Sequence, residues 1–229
     1  MHEALDAKKR IPTVLRFLAR CVPERWIRVR SEGLIHIPAA GPVVIAARHY
    51  HHLYDGVALL QAVPRPIHFV VTLDWTRSAF TWQMMTRLTN VADWSVVARE
   101  RAREPVRSSH ERETMRLGGI RNAIRLLHEG SVLVIFPEGY PNVDPHFTPK
   151  ESADAFLPFN PGFARIAALA NRSLSAPVPI VPAGLYFHRS PGPELTARFG
   201  KALFIGTSSE VSNIVSRVEA EVVKLSAGV

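Results

Sequence analysis

The stretch from Arg48 to Gly56 reads RHYHHLYDG and sets three histidines, His49, His51 and His52, just ahead of one carboxylate, Asp55. A histidine is the one side chain whose ordinary pKa lies near neutrality, so this concentration suits a proton shuttle, a metal site or a pH sensor. A histidine leaving a strand can hold a carboxylate against one ring nitrogen while the other faces a substrate. No GxSxG nucleophile elbow occurs, and the single cysteine, Cys21, falls in an N-terminal helical pattern. A base without an enzyme nucleophile activates water or the hydroxyl of its substrate.

Metal binding is the competing use of these residues. The spacing of His49 and His51 is similar to the opening of the HxHxDH pattern of binuclear zinc hydrolases, but Leu53 and Tyr54 stand where that pattern needs Asp and His. His68, His110, His128, His146 and His188 are dispersed without paired ligand spacing. No metal is therefore assigned, and a metal-dependent hydrolase built on His49, His51, His52 and Asp55 is the alternative.

The elements that would position these residues follow from periodicity. Val43 to Ala47, VVIAA, is a short apolar run after the Gly41-Pro42 breaker and reads as a buried strand. Ile67 to Thr72, Ser95 to Ala98, Ser131 to Phe136 and the PIVPAGLYF run read as further strands, and ARFGKALFIG as another. Helical patterns separate them: GVALLQAV, WTRSAFTWQMMTRLT, GFARIAALA, the C-terminal run through Leu225, and Glu113 to Glu129 with Gly130 at the C-terminal cap position. Tyr140 to Pro161 holds five prolines and little periodicity, which predicts a long functional loop. Alternating strands and helices predict an α/β domain with a mixed, largely parallel central sheet flanked by helices, and ligands in such sheets bind beyond the strand ends.

Four blocks in this order carry a family resemblance. VVIAARH brings a strand to His49, VVAR ends a later strand at Arg99, Phe136-Pro137-Glu138-Gly139 ends the next, and Ile180-Val181-Pro182-Ala183 lies in an apolar strand. Over roughly residues 33 to 205 the chain resembles the glycerolipid acyltransferases, whose motifs are NHxxxxD, a strand-end Arg, FPEGTRS and an apolar strand containing VP. The resemblance implies that His49, with His51 as the fallback, and Asp55 are catalytic, that Glu138 and Gly139 hold the acceptor and that Arg99 binds its phosphate; Arg101 and Arg103 are further substrate-binding candidates, because a guanidinium fork suits phosphate. It implies an acyl chain moved from acyl-CoA or acyl carrier protein to a lysophospholipid hydroxyl in phospholipid biosynthesis, with no cofactor. A non-catalytic lipid-binding protein is the second alternative. The chain departs from the pattern in three places: five residues rather than four separate His49 from Asp55, Arg48 replaces the Asn, and Tyr140-Pro141 replaces Thr-Arg after FPEG.

Bulk properties agree. The 229 residues, 47% of them hydrophobic, can bury one sizeable core. The charge of +8 favours an anionic partner. The arginines are scattered among acids, as in RERAREPVRSSHERETMR, and no aromatic platform of the RNA-binding kind occurs, which argues against nucleic acid. Residues 1–30 read as an amphipathic basic segment able to touch an anionic membrane, and 31–229 as the catalytic domain. No apolar run reaches the roughly 18–20 residues of a membrane-spanning helix. A cytoplasmic protein, peripheral on the inner face of the cell membrane, is expected.

Overall fold

The computed structural model describes residues 2–22, 27–51, 53–73, 76, 78–97, 109–142, 148–152, 154–188, 194–206 and 210–228. Thirteen named elements alternate much as the periodicity predicts. The strands are β1 (Arg28–Glu32), β2 (Val43–Ala47), β3 (Ile67–Val71), β4 (Ser95–Val96), β5 (Val132–Ile135), β6 (Ile180–His188) and β7 (Glu194–Phe199). The helices are α1 (His2–Arg20), α2 (Tyr54–Ala62), α3 (Ala79–Val91), α4 (Ser109–His128), α5 (Gly162–Ala170) and α6 (Val211–Leu225).

The sheet runs β1-β7-β6-β2-β5-β3-β4, and each pair is parallel except β6 with β7. β2 lies inside the sheet, buried on both faces, as its unbroken apolar run requires. Val44 and Ala46 face a core built with α4, α5 and α6. Val43, Ile45 and Ala47 face a second core shared with α2. The α/β architecture read from the sequence is thus the one observed: a largely parallel mixed sheet with helices on its faces.

Local chemistry sets several boundaries. Ser78 caps α3 by accepting from the Thr81 N–H while Thr81 reaches back, a reciprocal capping box. Gly130 follows α4 at φ 76°, the left-handed cap expected of it. Two strands differ from expectation. β1 was not foreseen, since RVRSE holds one apolar residue; it is an edge strand whose Arg30 pairs with Glu194 and whose Glu32 pairs with Arg198 of β7. The strand expected over ARFGKALFIG starts earlier, at Glu194, and ends at Phe199, because the Gly200 N–H turns to the Pro182 carbonyl and beyond it only Leu203 bridges back to Ile180.

Parallel pairing decides what converges. Ala46 of β2 stands beside Ile135 of β5, and Ala47 beside Ala183 of β6. The residues that follow β2 and β5 therefore leave the sheet at one edge, side by side.

Packing of α6 on β6 tests this arrangement. A Cβ on Gly184 would lie 2.4 Å from the Leu225 carbonyl carbon, a backbone atom that cannot swing aside. Gly184→Ala is expected to cost about 1–3 kcal/mol, and a lowering of the calorimetric midpoint by about 2–10 °C checks it.

Candidate active site

Immediately after β2 the chain turns, and the turn is organised by Asp55 in the first helical turn of α2. The Asp55 side chain is 0% exposed. Its Oδ2 accepts from the Tyr50 N–H at 2.7 Å, the His51 N–H at 2.8 Å and the His49 ring at Nδ1, also 2.8 Å. The Asp55 N–H in turn donates to the His51 carbonyl. This absorbs the extra residue between His49 and Asp55: the longer turn curls so that two of its own N–H groups share the carboxylate with the imidazole. The positive end of α2 favours a carboxylate at that position.

A carboxylate receiving Nδ1 makes that nitrogen the donor and leaves the lone pair on Nε2. The ring orientation is fixed on a second side, because His49 stacks on Phe136 with centroids 4.3 Å apart and planes 19° apart. The side chain keeps 15% exposure, enough for its outer edge to meet a ligand. His51 is placed otherwise. Its Nδ1 accepts from the Leu53 and Tyr54 N–H groups and its ring stacks on Tyr54. The structure brings His49, not His51, to Asp55; His52 lies outside the described residues.

Glu138 comes from the turn after β5, where the Gly139 N–H closes on the Phe136 carbonyl and Gly139 adopts φ 75°, a conformation that suits glycine. Glu138 Oε1 accepts the His49 N–H at 3.1 Å, and Oε2 accepts the Leu157 N–H at 3.1 Å and the Lys150 ammonium at 2.5 Å. Both Glu138 oxygens are buried and engaged within the chain, and through the His49 N–H this carboxylate holds the main chain of the histidine. For Gly139 the visible part is the turn itself. Arg99 and Arg101 fall outside the described residues, as does Arg103.

Two buried cations went unrecognised in the sequence. Arg48 is 4% exposed; its guanidinium lies 4.1 Å over the Phe156 ring and donates to the Asp154 carbonyl. Burial pushes its pKa down, and the carboxylate of Glu138 is the first of several charges opposing that. Lys150 comes from the proline-rich segment; desolvation lowers its pKa while Glu138 pulls it back up. Its Nζ also donates to the Asn142 side-chain carbonyl and, at 3.4 Å, to the His49 carbonyl. Asn142 closes the ring by donating its N–H to the Tyr50 carbonyl at 2.9 Å. Among the described residues no group of three or more His, Cys, Asp or Glu is placed to hold a metal ion.

Asp55→Ala strands three donors at once. With each unmet buried group worth about 1–3 kcal/mol in part offset by hydration of the turn, the unfolding free energy should fall by about 2–4 kcal/mol. Urea denaturation checks this, and an unchanged midpoint would contradict the organising role of Asp55.

Comparisons with known proteins bear on the family and the fold. A sequence profile described as Acyltransferase matches residues 28–186, a span that contains β1 through most of β6 and all of His49, Asp55 and Glu138. The fold is similar to the crystal structure of the 1-acyl-sn-glycerophosphate (LPA) acyltransferase PlsC from Thermotoga maritima, with TM-score 0.60 and 19% sequence identity over 98% of this chain and 81% of that one. No curated protein sequence matches the chain. By the extent of the profile match and the order of its blocks, the chain belongs to the Acyltransferase family.

Proposed function

We propose that the protein moves a fatty acyl chain from a thioester donor, acyl-CoA or acyl carrier protein, to a hydroxyl of lysophosphatidic acid or a related lysophospholipid. The observation that carries this reading is the 2.8 Å contact between His49 Nδ1 and the buried Asp55 carboxylate, at the sheet edge where β2 and β5 both end. His49 Nε2 takes the proton from the acceptor hydroxyl as its oxygen attacks the thioester carbonyl. The tetrahedral intermediate then breaks its C–S bond, and the thiolate recovers the proton from the imidazolium. An ester and a free thiol result, with no acyl-enzyme and no cofactor. Asp55 holds the productive tautomer and stabilises the transient imidazolium. The family membership supports acyl transfer, and the activity of the Thermotoga protein, an LPA acyltransferase, suggests the acceptor class. Arg99 and Arg101, which follow β4 in sequence, are assigned to an acceptor phosphate, since a guanidinium fork suits phosphate geometry.

The same reading gives residues 1–30 a membrane-contact role beside the catalytic domain of 31–229. No described helix is long and apolar enough to cross a membrane. α1 nevertheless exposes Phe17 at 67% and Leu18 at 56%, with Arg20 exposed beside them, while Ala19 faces α2, where its carbonyl accepts from Gln61. Such a face fits peripheral attachment to an anionic bilayer, the inner face of the cell membrane in this proposal.

Activity is tested by incubating the protein with labelled acyl-CoA or acyl carrier protein and a panel of lysophospholipids. His49→Ala is expected to lower kcat/KM by about 10²–10⁴, and His51→Ala to leave it near the parent value. Turnover that survives His49→Ala but not His51→Ala would move the base, and donor binding without turnover would favour a lipid-binding protein. For the membrane, Phe17→Ser/Leu18→Ser should reduce cosedimentation with anionic vesicles while the soluble assay is preserved; unchanged cosedimentation would remove α1 from that role.

A further inference from the structure

The segment after FPEG carries a lysine whose side chain is 0% exposed, although an ammonium is among the most costly groups to bury. Such a group is retained in a folded interior when its charge and its donors are all answered. Lys150 meets the Glu138 carboxylate at 2.5 Å, the Asn142 side-chain carbonyl, and the His49 carbonyl at 3.4 Å. None of these contacts reaches the His49 ring. All of them reach its peptide: Glu138 holds the His49 N–H, Lys150 and the Asn142 N–H hold the His49 carbonyl, and Asn142 also holds the carbonyl of Tyr50. The opposite face of the same turn is held by Asp55 through the ring and two N–H groups.

We infer that Lys150 is a positioning residue for the reaction: by neutralising Glu138 and pinning the His49 carbonyl, it sets where the imidazole stands between Phe136 and Asp55. The inference rests on the general-base reading of His49. Its physical content is an electrostatic one as well as a geometric one. With Lys150 present, the carboxylate behind the His49 N–H is matched by a cation. Without it, Glu138 becomes an unmatched negative charge one peptide away from the imidazole, a second anion next to Asp55, with Arg48 the buried cation left on that side. A misplaced base at this range costs about 10- to 100-fold in rate.

Lys150→Met, Lys150→Arg and the charge-neutral pair Lys150→Met/Glu138→Gln are compared with the parent protein by kcat, KM, pH–rate profile and amide hydrogen exchange of the peptide covering residues 48–55. Lys150→Met should lower kcat by about 10- to 100-fold with KM for the donor little changed. Its acidic limb should move to higher pH, because an unmatched anion favours the protonated base. The pair, which folds without a stranded buried charge, should return the limb toward its parent position yet keep a low kcat, and Lys150→Arg should keep the limb unshifted. Exchange at residues 48–51 should quicken in Lys150→Met and in the pair. Parent kcat and parent exchange in Lys150→Met would overturn the inference, as would a lowered melting temperature with an unmoved pH profile and unmoved local exchange, the mark of a merely structural lysine. A parent protein that transfers no acyl group to any acceptor would sink the acyltransferase reading instead, and the exchange data alone would then decide whether Lys150 pins the turn.

Discussion

One oxygen of one buried carboxylate, Asp55 Oδ2, collects the His49 ring and two successive backbone N–H groups. The β2–α2 turn has its shape because of that convergence. Buried charge demands answered charge or dense hydrogen bonding, and a chain of this length can meet the demand by folding the turn around the carboxylate instead of bringing a cation to it. The consequence is chemical. The imidazole that completes the set has its tautomer chosen for it, and its free nitrogen points away from the carboxylate.

The second buried carboxylate is answered in the other way. Glu138 takes a lysine from twelve positions downstream, plus the N–H groups of His49 and Leu157. Asp55 and Glu138 therefore grip the same turn from two sides, one through the side chain of His49 and one through its main chain. Each grip comes from a different part of the chain, and parallel register brings them together: β2 and β5 end in step, so what leaves one strand meets what leaves the other. A local turn alone could orient the ring, but the sheet is what places the turn.

Much of this was legible in the sequence, for reasons that can be named. VVIAA and VLVI are apolar without alternation, which only a strand covered on both faces tolerates, and both are interior strands. The periodicity of α4 and its Gly130 cap are local signals, and local signals survive in one dimension. The pairing of His49 with Asp55 was visible as strand-end placement despite the altered spacing, because position after a strand constrains direction more than a count of residues does. The edge strand β1 was not visible: RVRSE is held by ion pairs to residues more than 160 positions away, and nothing in its own composition announces them. Lys150 was hidden for the same reason. In a proline-rich, aperiodic segment it reads as a solvated lysine, and only the tertiary position of Glu138 makes it a buried one.

The burial of these charges also bears on what the protein can recognise. Arg48 replaces the Asn of the family pattern and Lys150 lies behind FPEG, which puts two cations beside the turn that an anionic ligand could meet if they were open. Neither is available. The Arg48 guanidinium lies against Phe156 and the Asp154 carbonyl, and the Lys150 ammonium is enclosed by Glu138 and Asn142. A phosphate large enough to need two or three donors cannot reach a cation with no open surface, and withdrawing either from its partner would leave an uncompensated buried charge at a cost of several kcal/mol, on the order of 3–5. Neither cation is open to a ligand anion, and what the charges around the turn do is hold the His49 imidazole between Phe136 and Asp55.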